Sequence, residues 1–301
     1  MSRIDAHLHV FAEESAPFPR QTDHPLSPER GETVEKLMSE MEPYGVEQAV
    51  LVQIGGTSIE HHAYLRHCVR TYPTRFRGIG LLPQDGNPAD HMDRLADDGG
   101  IIGFRLSSMG GPADPAAPVD VGSLGALPIW RHAAEKDYVL WLYPGESDAR
   151  CVPPLMREFP HVRVVFNHIM VCPGQGKFSW DGQDRPRVEV PMPPPTAAAL
   201  EVPEDGPYPF PNAHVLISGQ YAFSNEAWPY RDLAAWHERL LRSFGPERMM
   251  WATDFPWITT DPGYGRLVRL LDELLPSLTE TERESVMGGT ARRVLGFPQT
   301  V

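Results

Sequence analysis

Near its start the chain reads Ile4-Asp5-Ala6-His7-Leu8-His9-Val10, a short apolar run interrupted by histidines at i and i+2. Side chains alternate faces along a strand, so with Leu8 turned outward His7 and His9 point together to the opposite side. This run heads a series of eight, at 4–10, 48–54, 76–82, 101–106, 139–143, 162–167, 214–218 and 249–253. Several are almost continuously apolar, as strands covered on both faces of a parallel sheet must be. Helix-like spacing fills the intervals. Residues 33–44 place Val34, Leu37, Met38 and Met41 on one face, and 63–72, 233–244 and 267–275 repeat the pattern. Eight strand–helix alternations predict an α/β chain closed into a (β/α)8 TIM barrel. An open doubly wound sheet would carry a Gly-rich turn after its first strand, where this chain has His-Leu-His.

The length of 301 residues, 41% of them hydrophobic, suits one such barrel spanning 1–301. Two segments break the rhythm. Residues 110–118 are rich in Gly, Pro and Ala, and 172–211 hold many prolines, including the run Pro193-Pro194-Pro195. The second is a long insertion after the sixth strand. Its proline density predicts irregular chain, acting as a lid over the site or as a contact between subunits of a homo-oligomer.

With 40 acidic against 27 basic residues the formal net charge is -13, which argues against a nucleic-acid or anionic-membrane partner. No apolar run approaches the roughly 20 residues needed to span a bilayer, and no secretory h-region follows Met1. Cys68, Cys151 and Cys172 lack metal-type spacing and are odd in number, which suits free thiols in a reducing cytoplasm. The partner left is a small-molecule substrate.

In a barrel the C-terminal ends of the strands converge on the active-site face. The first strand ends in His7 and His9. The sixth reads Val164-Val165-Phe166-Asn167-His168, and the last Trp251-Ala252-Thr253-Asp254. Each residue alone is ordinary: a strand histidine is usually a satisfied polar neighbour, and an aspartate after a strand is often a cap. Three strand ends carrying His or Asp together are a site.

Further motifs extend the picture: Tyr72-Pro73-Thr74-Arg75-Phe76-Arg77-Gly78, Gly103-Phe104-Arg105-Leu106, Leu216-Ile217-Ser218-Gly219, Phe244-Gly245-Pro246-Glu247-Arg248, Thr253-Asp254-Phe255-Pro256-Trp257 and Thr290-Ala291-Arg292-Arg293-Val294-Leu295. In order and spacing they resemble the amidohydrolase-related group of the amidohydrolase superfamily, over nearly the whole chain outside the insertion. The resemblance implies a divalent metal, zinc by preference, or a substrate oxyanion held by His7 and His9. It also implies Asp254 as general base, with His168 and Asp254 available as further ligands. Metal-dependent members carry a histidine at the end of the fifth strand, where this chain has Tyr143. That departure resembles the metal-independent lactonases of the family, the 2-pyrone-4,6-dicarboxylate lactonases, in which the matching Tyr and Arg hold substrate; here these are Tyr143 and Arg105. Ser218, Tyr221 and Trp257 complete the implied pocket. Ala222 stands where those lactonases carry a second arginine, which favours one substrate carboxylate or none. The resulting expectation is a hydrolase of lactones or esters, with or without a metal. The alternatives are a metal-dependent non-oxidative decarboxylase of an aromatic or unsaturated acid, separable by metal analysis, and a catalytically silent barrel that serves as a binding or assembly protein.

Overall fold

The structure, a computed structural model, describes residues 3–21, 26–84, 86–97 and 99–299. Among the described residues there are ten strands: β1 (Arg3–Leu8), β2 (Val46–Val52), β3 (Phe76–Leu81), β4 (Ile101–Leu106), β5 (Val139–Leu142), β6 (Val164–Phe166), β7 (Lys177–Trp180), β8 (Pro186–Glu189), β9 (Ala213–Ile217) and β10 (Met249–Trp251). Eight form one parallel sheet in the order β1-β2-β3-β4-β5-β6-β9-β10, with helical segments in most of the crossovers. All eight runs read from the sequence are strands, shorter by one or two residues at some ends, with β1, β2 and β9 beginning one or two residues earlier. The 267–275 pattern divides into helices Tyr264–Leu267 and Leu270–Leu274.

The sheet curls until its ends meet. Just past the last strand, the Asp254 N–H donates to the His7 carbonyl (3.0 Å) and the His9 N–H to the Phe255 carbonyl (2.7 Å). The buried Asp5 carboxylate ties the same seam. It accepts from the Thr253 N–H (2.9 Å), the Thr253 hydroxyl (2.5 Å) and the Tyr264 hydroxyl (2.9 Å). Burial pushes its pKa up to about 7, against the pull of those hydrogen bonds.

Two apolar layers flank the sheet. The lumen holds Ile4, Ala6, Val50, Val52, Ile79, Trp141, Val165, Leu216 and Met250, floored by Val294, Leu295 and Phe297 of the C-terminal segment. Leu8, Leu51, Phe76, Phe104, Phe166 and Trp251 face the helices instead. Each such buried side chain contributes about 1.5–3 kcal/mol of transfer free energy. Gly103 is required where β4 approaches β5, since a Cβ there would lie 2.2 Å from the Val139 carbonyl oxygen.

Strand β1 departs from simple alternation. Asp5 pairs with Ala49 and Leu8 with Leu51, so three steps on β1 match two on β2. The extra residue is a bulge at Ala6–His7, both of which turn inward. Asp5 and Leu8 face the helices, while His7 and His9 stay in the lumen.

The 172–211 insertion is not wholly irregular, as its prolines suggested. Strands β7 and β8 pair antiparallel as a hairpin, Lys177 opposite Glu189 and Trp180 opposite Pro186. Its prolines do not oppose this: Pro186 opens β8, and the others lie outside the ladder. The turn is held by Asp181, which accepts from the backbone of Gln183 and Arg185 and from the Arg185 side chain. Arg187 reaches from β8 to the carbonyls of Tyr221 and Ser224. No helix among the described residues is long and apolar enough to cross a membrane.

Candidate active site

At the C-terminal mouth of the barrel the structure brings His7, His9, His168 and Asp254 together, all buried. The His7 ring lies 5.1 Å from that of His9 and 4.8 Å from that of His168. One carboxylate oxygen of Asp254, Oδ2, accepts from the buried Tyr221 hydroxyl at 2.7 Å. The other, Oδ1, faces His7 Nε2 at 3.6 Å and His9 Nε2 at 3.5 Å. Neither Oδ1 nor His7 Nε2 has a hydrogen-bond partner among the described residues. Two orphaned polar atoms aimed at each other mark where a ligand or a water belongs.

Two of these residues sit on unusual backbone. Asp254 has φ +62°, and His168, Ile169 and Met170 form a left-handed run at +41°, +50° and +63°. A β-branched residue is costly there, about 1–2 kcal/mol per position. The run is held by the Trp236 indole, which donates to the Ile169 carbonyl (2.9 Å), while Ser218 Oγ lies 3.0 Å from His168 Nδ1.

The hydrogen bonds also settle where ring protons sit. His9 Nδ1 meets the Val52 carbonyl at 2.8 Å. A carbonyl only accepts, so Nδ1 carries the proton and Nε2 is the free nitrogen. His7 is the reverse. The Trp141 indole N–H lies 2.9 Å from His7 Nδ1, and an indole only donates, so this nitrogen supplies the lone pair.

Electrostatics agree with the geometry. Burial, aided by His168, His9 and Arg105, holds His7 neutral, well below its usual range. Burial likewise lowers His168 to about 4. For Asp254 burial would raise the pKa, but the pull of His168 and His9, exerted when either ring is cationic, and the hydrogen bond from Tyr221 outweigh it and hold the carboxylate below its ordinary value. Burial pushes the Tyr143 and Tyr221 phenols up, so both stay neutral.

Arg105 makes no hydrogen bond or ion pair to any described residue, although Tyr143 and Asp254 are its charged and polar neighbours. It also lines a cavity of about 300 Å3 with Gln84, Ser107 and Ser108. An unspent guanidinium at a barrel mouth has the charge and the forked donors to receive a carboxylate. Tyr143 packs edge-on to His168, with ring centroids 5.3 Å apart. Trp257 lies 6.1 Å from Trp180 of the hairpin and 5.6 Å below the Arg30 guanidinium, so the insertion reaches the mouth.

Trp141 escaped the sequence reading, though it lies two residues before Tyr143 and therefore on the same face of β5. Two further histidines are internal. His62 is buried and accepts from the Leu81 N–H (2.9 Å). His237 is buried between the Leu233 carbonyl and Gln220.

The amidohydrolase family model matches residues 4–297. The chain belongs to the amidohydrolase family. It is 23% identical over 222 residues to D-galactarolactone isomerase of Agrobacterium fabrum, covering 72% of this chain and 64% of that protein, so the chain spans under two thirds of that relative's length. A probable 2-pyrone-4,6-dicarboxylic acid hydrolase from Acinetobacter baumannii, with citric acid bound, superposes with a TM-score of 0.73 at 16% identity, over 99% of this chain and 100% of that one. A dihydroxybenzoic acid decarboxylase from Polaromonas sp. JS666, with bound manganese, gives 0.60 at 18% identity, over 99% and 98%. At these identities the structural likenesses establish the fold.

Since relatives hold metals, the donor set matters. His7, His168 and Asp254 offer three potential ligand atoms within 4.8 Å of one another. A metal takes a lone pair, however, and His7 has spent its lone pair on Trp141. His9 is oriented as a metal-bound imidazole would be; His7 is not.

Proposed function

We propose that this amidohydrolase opens a lactone, or a related ester, of a small substrate bearing a carboxylate. The observation that carries the reading is the buried, ionised Asp254, with Oδ2 anchored by Tyr221 and Oδ1 left open toward two histidines. A water in that space gives one proton to Asp254 Oδ1 and directs the other at His9 Nε2, leaving an oxygen lone pair for the carbonyl carbon. As the C–O bond forms, the proton passes to Asp254, which acts as general base. The His7 Nε2–H stabilises the oxyanion. Collapse breaks the ring C–O bond, and the departing oxygen takes the proton back from Asp254. Arg105 grips the substrate carboxylate, with Tyr143 and Trp257 walling the pocket. The hairpin, whose Trp180 packs near Trp257, closes over the mouth as a lid.

A lactone isomerisation uses the same machinery, with a substrate hydroxyl replacing water, and the match to a galactarolactone isomerase supports it as the second reading. Metal-dependent decarboxylation fits less well, because His7 presents no lone pair. The test is turnover of a panel of lactones with and without a carboxylate by the wild type and Asp254→Asn. We expect the variant to lose about 10²–10⁴-fold in kcat. Normal turnover by Asp254→Asn would overturn the assignment.

A further inference from the structure

We propose that Trp141 is a positioning residue that locks His7 in one tautomer, so that the site presents an N–H to the substrate and refuses a metal at His7. The argument starts from what each group can do. A neutral imidazole has one N–H and one lone pair. The Trp141 indole can only donate, and it lies 2.9 Å from His7 Nδ1 in a fully buried contact between β5 and β1. The two ring planes are nearly parallel, at 17°, with centroids 6.3 Å apart, the side-by-side arrangement that lets the N–H point along the Nδ1 lone pair. The proton of His7 must then lie on Nε2, the atom facing Asp254 Oδ1.

The two histidines of the first strand, equal in sequence, thereby become opposites. His9 donates from Nδ1 to a backbone carbonyl and turns a lone pair to the site. His7 accepts at Nδ1 and turns a proton to it. A metal bridging both would need His7 either to lose the Trp141 bond or to become an imidazolate, whose formation is far outside the physiological range. The donor–acceptor pair instead suits a water and a developing oxyanion side by side. This last consequence rests on the proposed lactone chemistry; the tautomer and the metal preference do not.

Two measurements separate these claims. In histidine-labelled wild type, long-range ¹H–¹⁵N NMR, with His7→Asn to assign the signal, should show His7 protonated at Nε2 and bare at Nδ1. Zinc titration by calorimetry should give at least about tenfold tighter binding to Trp141→Phe than to wild type, since the variant frees Nδ1 and lets the proton move. Thermal melting checks that the variant folds. On a turned-over lactone, Trp141→Phe should lower kcat with KM nearly unchanged. A proton on Nδ1 in the wild type, or equal zinc affinity in both proteins, overturns the proposal. If no lactone is turned over but the NMR and zinc results hold, the functional reading falls and the lock stands.

Discussion

Asp5→Asn isolates the carboxylate that ties the barrel seam. In the native protein Asp5 is buried with a pKa of about 7, against 3.8 for an ordinary aspartate. Its folded-state pKa is raised, so its proton stabilises the fold fully below the unfolded value. That stabilisation is lost as pH rises through about 7. At 1.36 kcal/mol per pKa unit, the wild type should lose about 2–3 kcal/mol from this group between about pH 5 and pH 8. Asparagine does not titrate. Its carbonyl can accept from the Thr253 N–H, and its amide can donate to the Thr253 or Tyr264 hydroxyl if those rotate, so the seam keeps most of its bonds. Urea unfolding at the two pH values supplies the assay. The stability difference between wild type and Asp5→Asn should change by about 2–3 kcal/mol, with the variant relatively more stable at the higher pH. A difference that does not move with pH would refute the claim that burial dominates this carboxylate.

Three other perturbations probe the site. Tyr221→Phe removes a hydrogen bond to buried, ionised Asp254; such bonds contribute about 1.5–3 kcal/mol, so the acid limb of kcat/KM should move about one to two pH units higher. An unmoved limb would mean that Asp254 does not control it. Arg105→Met should raise KM for carboxylate-bearing lactones about 10–100-fold and leave uncharged analogues little affected, as a steady-state comparison would show. Gly219→Ala should cost about 1–3 kcal/mol by thermal or urea unfolding, because φ is +79° and the new Cβ would lie 2.8 Å from the Phe223 ring and 3.1 Å from His168 Nδ1. Unchanged stability would place Gly219 in a looser environment than the structure describes.

The barrel was legible because its strands are covered on both faces, and that burial writes near-continuous apolar runs such as Val162–Phe166 into the chain. The convergence of His7, His9, His168 and Asp254 followed from strand ends alone. What stayed hidden depends on pairing between distant segments. Nothing in Ile4-Asp5-Ala6-His7 announces a bulge; it arises from the register of β1 against β2, and it decides that Asp5 serves the seam while His7 serves the lumen. The burial of His62 and His237 was not legible because their partners, the Leu81 amide, the Leu233 carbonyl and Gln220, are set by packing rather than by local pattern. The hairpin in the Pro-rich insertion was masked because its prolines fall at a strand start or outside the ladder, where no donor is missed.

The seam between β1 and the end of β10 joins residues almost the whole chain apart, and the same few residues supply His7 and His9 on one side and Asp254 on the other. That contact has the highest loop-closure cost in the barrel, so on entropic grounds it forms late. On the proposed chemistry the protein therefore cannot be partly closed and partly active. Recovery of turnover during refolding reports ring closure itself, and a chain whose ends have not met is chemically silent however much of its sheet has already formed.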